Sequence, residues 1–363
     1  MSYKVKVTCL ACSLTFISLL FCLASFSQKK PAPSPSPYNF DALDNLVKQN
    51  QKALGPDFVV LVWKDGLPVY TKEGSADFTA KAQSPIAGAA NWMISALVMT
   101  YVDEGKLSLD DKVSKYIPIF STYMKSYITI RNCLTNTTGI RASEDEATKV
   151  MPKSKYDNLE EEVNSYASKR DIASNPGTDF FYSPVGFNIA ARVLEVITKK
   201  SFDRLMMERI QRPLKLRSTS FANEDGGALN AASGARSSAN DYMSFLTMLL
   251  NKGMFGDKRI LSEKSVEEME TAQFAGLPIK FVPKGAEGTR YGLGAWITEE
   301  NAGGGAPSAF SSPNLLGITP IMDKCHNYAA IIFVQKPESE EDQKRIAQSF
   351  KKIVDEAIGG GCR

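Results

Sequence analysis

A single histidine, His326, stands in the 363-residue sequence, and that count limits the available chemistry at once. A conventional Ser-His-Asp triad or a His-based metal centre is very hard to assemble from it. His326 itself falls in Asp323-Lys324-Cys325-His326-Asn327, which reads as a turn between two strands rather than a catalytic position. Cys133 has the chemistry of a nucleophile, but it sits on an apolar periodic segment with no histidine nearby in sequence, the setting of a buried structural thiol. Ala302-Gly303-Gly304-Gly305-Ala306 lacks the preceding strand and following helix that a phosphate loop needs, and reads as a flexible loop beside a cleft. Glu160-Glu161-Glu162 suits the first turn of a helix, where acidic side chains complement the dipole, and is expected on a solvated face. Trp92 and Trp296 are expected as core or lobe-interface residues rather than substrate platforms. None of these residues calls for a cofactor or a metal.

The elements that must position any site are strands at both ends of the sequence and helices between them. Phe40 to Leu54 has helical periodicity, and Asp57 to Trp63 and Leu67 to Thr71, joined by Lys64-Asp65-Gly66, predict a β-hairpin. Helical patterns follow at Ala87 to Glu104, Asn158 to Ser168, Gly186 to Thr198, Phe202 to Ile210, Ser237 to Leu250 and Ser262 to Thr271. Strands return at Tyr291 to Ile297, Leu315 to Met322 and Tyr328 to Val334. A last helix from Ser339 to Ile358 repeats Ile346, Phe350, Ile353, Val354 and Ile358, with Ser339 and Asp342 in capping-box spacing and Gly359 beyond its end. That apolar stripe needs a sheet to lie on. The expected fold is therefore α/β (α+β): an antiparallel sheet completed by both termini and flanked by helices, with a mostly helical lobe inserted and any site between the lobes.

Composition agrees with a globular chain, at 43% hydrophobic and 23% charged residues. A net charge of +3, with no basic run interleaved with aromatics, gives no nucleic-acid footprint. Residues 1–27 read as a secretory signal: Lys4 and Lys6, an apolar stretch from Val7 to Ala24, then Ser25-Phe26-Ser27 before cleavage at Gln28. The rival readings are a retained anchor and lipidation at Cys22, although Phe21 stands where a lipoprotein signal wants a small residue. Cleavage leaves Cys133, Cys325 and Cys362, an odd remainder that makes no disulfide framework, with a Cys325–Cys362 pair left open. Residues 28–38, with proline at 31, 33, 35 and 37, predict an extended linker. The domain is expected at 39–363, with a sheet lobe at 39–84 and 286–363 and a helical lobe at 85–285. No stable membrane anchor is expected after cleavage, which makes the product periplasmic or extracellular.

Several ordered segments resemble the serine β-lactamases and their penicillin-binding and esterase relatives, from about Phe40 to Ile358. Ser84-Pro85-Ile86-Ala87-Gly88-Ala89-Ala90-Asn91-Trp92, followed by Tyr101-Val102-Asp103-Glu104-Gly105-Lys106-Leu107, looks like the segment that carries that family's nucleophile. Leu134-Thr135-Asn136-Thr137-Thr138-Gly139 is similar to its Leu-Thr-His-Thr-Ser-Gly stretch, with Asn136 in place of the histidine. Pro176-Gly177-Thr178-Asp179-Phe180-Phe181-Tyr182-Ser183-Pro184 resembles its second catalytic segment, and Ala235-Arg236-Ser237-Ser238-Ala239-Asn240-Asp241-Tyr242 a further stretch of the helical lobe.

The resemblance implies acyl transfer through Ser-x-x-Lys, in which a spacing of three sets amine and hydroxyl on one helix face. At those positions this chain has Gly88 and Asn91. Glycine offers nothing to acylate, and an amide is no amine base. The Tyr-x-Asn motif reads Tyr182-Ser183-Pro184, leaving only the tyrosine, either a residual pocket hydrogen-bonding group or a packed aromatic. The third motif, a Lys, His or Ser with glycine two residues on, aligns with Ser312-Pro313-Asn314 and has lost its glycine. Ser-x-x-Lys recurs at Ser27/Lys30 and Ser349/Lys352, neither of which opens a buried helix, and Tyr156-Asp157-Asn158 satisfies Tyr-x-Asn where Asn158 would cap a helix. Gly88, Ala89 and Ala90 are small, so open space near the helix start is expected. The function these residues imply is an exported, non-hydrolytic member of that family binding a peptidoglycan-like peptide or another small ligand in the interlobe cleft. The alternatives are an active hydrolase using Ser84, Ser183 or Ser312, and a structural or surface-interaction protein whose cleft is filled by side chains.

Overall fold

The computed structural model describes Met1 and residues 37–148, 154–222, 230–273, 276–301, 305–312 and 317–361. The expected signal, apart from Met1, and nearly all of the linker lie outside them. Among the described residues, no helix is long and apolar enough to cross a membrane.

Helix α1 (Asp41–Gln49) leads into the hairpin β1 (Phe58–Lys64) and β2 (Leu67–Glu73). Asp65 and Gly66 turn it, both with positive φ (50° and 88°), the handedness that matches strand twist in a two-residue loop. Helices α2 (Ala90–Asp103), α3 (Ile130–Leu134), α4 (Leu159–Lys169), α5 (Val185–Thr198), α6 (Ala239–Leu250) and α7 (Glu263–Glu270) follow. Five strands then follow, β3 (Arg290–Tyr291), β4 (Trp296–Glu300), β5 (Pro307–Ser311), β6 (Ile318–Asp323) and β7 (Tyr328–Val334), before the closing helix α8 (Glu340–Ile358).

The seven strands form one sheet in the order β2-β1-β7-β6-β5-β4-β3, antiparallel at every step. At its centre β1 pairs with β7, from Phe58 opposite Val334 to Lys64 opposite Tyr328. Alternation then sorts the side chains. Val59, Leu61, Ile331 and Phe333 join the core under the helical lobe. Phe58, Val60, Val62, Ala330 and Ile332 face the opposite way, against Leu43 and Val47 of α1 and Ile346, Phe350 and Val354 of α8. Both faces are covered, which is why β1 and β7 read as continuous apolar runs. Ser339 accepts a hydrogen bond from the Asp342 backbone N–H at 3.1 Å, and Gly359 ends α8 with φ 66°. Helix α2 is buried at every residue from Ala90 to Tyr101 and is the axis of the other layer.

The architecture is the expected mixed α/β fold, an antiparallel sheet closed by strands from both ends of the sequence. Three local expectations are corrected. Tyr291 to Ile297 is not one strand: Gly292, Leu293, Gly294 and Ala295 form a turn, and Tyr291 pairs with Trp296. Gly294 has φ 84° and lies so close to α2 that a Cβ there would fall 2.4 Å from the Asn91 carbonyl oxygen, so only glycine serves. The helix from Phe202 gives way after Met206 to a π-helical turn over Met207–Gln211. Strand β5 was not anticipated, because Pro-Ser-Ala-Phe-Ser has neither β-branched residues nor clean alternation.

Candidate functional site

The start of α2 is fixed before its chemistry is considered. Ser84 and Pro85 pair with Ser237 and Arg236, the Ile86 N–H donates to the Ala235 carbonyl at 3.0 Å, and Tyr242 Oη of α6 donates to the Ala89 carbonyl at 2.9 Å. Between these ties Ala87 is held at φ 41°, left-handed, which costs a residue with a Cβ about 1–2 kcal/mol. Gly88 follows directly, and Asn91 lies one helical turn on.

Tyr182 reaches this point from the other side of the lobe. Its segment runs beside Ile279–Phe281, and the Tyr182 N–H donates to the Phe281 carbonyl at 3.1 Å. Asn136, itself left-handed at φ 56°, grips the same segment twice: its carbonyl accepts from the Phe181 N–H at 3.0 Å and its Oδ1 from the Ser183 N–H at 3.1 Å. Asn136 thus does positioning work where the sequence only marked a lost histidine.

The Tyr182 hydroxyl accepts a hydrogen bond from Asn91 Nδ2 at 3.3 Å, and a Cβ built on Gly88 would lie 2.2 Å from it. The open space expected over Gly88 is therefore corrected: the phenol hydroxyl fills it. Burial pushes the Tyr182 phenol well up from its ordinary value, with the Asn91 hydrogen bond pulling weakly the other way, so it is protonated at neutral pH.

An aromatic corner closes around it. The Tyr182 ring lies 5.6 Å from Trp296 and 6.5 Å from Tyr291, and Tyr291 and Trp296 stack edge to face at 4.7 Å with Phe180 behind them. The amides of Asn136 and Asn91 both act on the buried Tyr291 hydroxyl, whose phenol burial pushes up. Asn91 Oδ1, Asn136 Nδ2 and Tyr291 Oη are all buried, and among the described residues no hydrogen bond of ordinary geometry reaches them. Exposure is 2% at Asn91, 4% at Asn136 and 1% at Tyr291.

Gly88, Asn91 and Tyr182 are thus brought together. Pro184 sits two residues beyond Tyr182 as the N-cap of α5, Ser312 is buried just past β5, and Asn314 lies outside the described residues. Ser84, Ser183 and Ser312 are all buried, and among the described residues none makes a hydrogen bond to a basic side chain. Trp296 is buried as expected of a core residue, while Tyr291 beside it was not anticipated; the glycines between them were the signal that the segment turns.

The remaining expectations divide. His326 does lie in the β6–β7 turn, with Nδ1 3.2 Å from Asp323 Oδ1. Asp323, His326 and Asp355 could together offer metal ligands, but the Lys351 ammonium already occupies both carboxylates, at 2.7 and 2.8 Å. Cys133 is a free, fully buried thiol pushed up by desolvation. Cys325 is disulfide-bonded, and Cys362, its candidate partner in the sequence, lies outside the described residues. Asn158 caps α4 by accepting from the Glu161 N–H at 2.9 Å. The solvated Glu160–Glu162 face is corrected at Glu162, which is buried, accepts from Tyr166 Oη at 2.6 Å, and has its carboxyl pushed up by desolvation. Of the expected glycine loop, residues 302–304 lie outside the described residues.

Comparison with known proteins supplies a frame for this geometry. A family model described as Beta-lactamase matches residues 43–351. A Salmonella typhimurium protein named "Putative D-alanyl-D-alanine carboxypeptidase" is 24% identical, the match covering 94% of this chain and 98% of that protein. An Escherichia coli K12 protein of the same name is 21% identical, over 90% and 91%. Among solved structures, a "putative beta-lactamase" from Bacteroides dorei superposes with a TM-score of 0.77 at 28% identity, covering 88% of this chain and 99% of that one. EstCE1, described as a hydrolase with promiscuous acyltransferase activity, shares the fold with a TM-score of 0.71 at 18% identity, over 86% and 97%.

Proposed function

The chain belongs to the β-lactamase family, and from that premise we propose that it is a member that binds a small or peptide ligand without forming the family's acyl-enzyme. The observation that carries this reading is the contact at Gly88. There is no hydroxyl to acylate, the neighbouring base position is an amide, and the one surviving tyrosine has its hydroxyl in the nucleophile's space. In an unrelated serine hydrolase, losing the nucleophile alone lowers turnover by on the order of 10⁶. Turnover by the family route is correspondingly negligible here.

Export is the second part of the proposal. The Lys4/Lys6 start, the apolar stretch to Ala24 and the small residues before Gln28 support it. N-terminal sequencing of the protein recovered outside the cytoplasm is expected to begin at Gln28; an intact Met1 start there would overturn cleavage.

The test of the chemistry is intact-mass spectrometry after incubation with a fluorophosphonate and with a penicillin. The natural protein is expected to gain no mass, while a Gly88→Ser, Asn91→Lys double variant provides the hydroxyl and amine for comparison. A stoichiometric adduct on the natural protein, mapped to the residues around Tyr182, would overturn the proposal.

A further inference from the structure

A cleft of about 990 Å³ opens at the C-terminal end of α2, away from Gly88. Helix α2 has 14 residues, so its two ends stand about 21 Å apart. Cations enter the cleft from two sides. The π-helical turn over Met207–Gln211 and the residue after it bring Arg209 and Arg212, and the tight pairing of Met254–Phe255 with Lys258–Arg259 brings Lys258 and Arg259. Three acids also line it, and each is already committed. Asp103 accepts from the start of α7, from the Ser262 N–H at 2.8 Å and from the Ser262 and Ser265 hydroxyls at 2.6 Å. Glu104 holds Arg209 at 3.1 Å and Lys106 at 2.7 Å, and Arg209 is fixed further with its guanidinium over the Tyr101 ring at 4.3 Å. Glu208 holds Lys200 at 2.6 Å and Arg204 at 2.9 Å, neither of which lines the cleft. Arg212 and Lys258, by contrast, make no ion pair or side-chain hydrogen bond among the described residues, and Arg259 donates to the uncharged carbonyls of Lys252 and Leu261, at 3.1 and 3.0 Å. Glu263, the carboxylate whose charge meets Arg259, is taken by Lys252.

We propose that this cleft binds a small anionic ligand bearing two or more linked phosphate groups, which span Arg212 on one wall and Lys258 and Arg259 on the other. Cations whose charge no carboxylate of the cleft meets call for a polyanion. A lone carboxylate brings one charge and two oxygens in one plane, enough for a single guanidinium fork. Each phosphate offers oxygens in several directions, so a linked pair can serve opposed walls at once. The volume of the cleft lies at the upper end of small-molecule pockets, which suits an extended ligand better than a single ion. The cleft shares no residue with the corner around Tyr182, so the inference stands apart from the non-acylating reading.

Inorganic pyrophosphate is the probe, titrated calorimetrically into the full-length protein at low ionic strength, with orthophosphate and citrate as comparators. Pyrophosphate is expected to bind about tenfold more tightly than either, and added salt should weaken it because the cations are exposed. Arg212→Gln and Lys258→Gln should each weaken pyrophosphate about tenfold by removing one charged donor. Lys48→Gln, an exposed lysine of α1, should leave binding unchanged. Arg212 and Lys258 are exposed, so both variants are expected to fold, and thermal melts establish that they do. Citrate binding as tightly as pyrophosphate overturns the phosphate assignment. The absence of saturable pyrophosphate binding overturns the site, as does binding that Arg212→Gln and Lys258→Gln leave unchanged or that Lys48→Gln weakens equally. None of these readouts involves Gly88, so each holds whatever penicillin does to the protein.

Discussion

At position 88 the missing side chain and the Tyr182 hydroxyl are two parts of one adjustment. A serine placed there would set its Cβ 2.2 Å from Tyr182 Oη, inside a packed aromatic corner that gives little. Gly88→Ser is expected to cost about 1–3 kcal/mol through overpacking. Tyr182→Phe is expected to cost about 1–2 kcal/mol by leaving Asn91 Nδ2 without its acceptor. The double variant should cost less than the sum by about 1 kcal/mol or more, because removing the hydroxyl also removes the clash. Urea denaturation of the four proteins measures that coupling, and simple additivity would show that the two residues do not share the space. That Gly88 and Asn91 carry neither a hydroxyl nor an amine was legible in the sequence, since residue identity alone decides it. The filled gap was not, because it is a distance between segments some ninety positions apart.

At the scale of elements, α8 is held to the sheet by more than its apolar stripe. Lys351 Nζ meets Asp323 at 2.7 Å, Asp355 at 2.8 Å and Glu299 at 2.8 Å, with the Lys351 side chain 11% exposed and that of Asp323 1%. Burial pulls the Lys351 ammonium down, yet hydrogen bonds to these carboxylates outweigh it and raise the group above an ordinary lysine. A raised lysine contributes stability that is complete below its unfolded value and disappears only in strong alkali, so the tie is intact through neutral pH. Lys351→Met should cost about 3–5 kcal/mol at pH 7 by leaving Asp323 buried without its counter-charge. Denaturant titrations at pH 7 in which Lys351→Met is as stable as the natural protein would sink this account. Ser339→Ala should cost a further 1 kcal/mol or so through the lost cap. Helix α8 and strands β1 and β7 were legible because period and caps agree. Glu162 was misread although Tyr166, four residues on and within reach on the same helix, was a visible partner.

For the whole molecule, strands at both ends of the sequence sufficed to foresee one shared sheet, whereas β5, whose Pro-Ser-Ala-Phe-Ser lacks a strand's composition, is a strand through its pairing with β4 and β6. Removing residues 338–363 would strip α8 from Val60, Ala330, Ile332 and their neighbours. The truncated chain is expected to be insoluble or to bind a hydrophobic dye strongly; a soluble, cooperatively melting product would show that α1 suffices to cover that face. The β1–β7 pairing also sets a timetable. Phe58 meets Val334 only after almost the entire domain has been synthesised, so the first hairpin must wait without its central sheet partner, with α1 alone able to cover one face, while the helical segments between them gather locally. Closure of the central sheet is therefore a late, long-range event, slow relative to helix formation and exposed to aggregation until it occurs. The last strand to be made is the one that lets the first strands find their place.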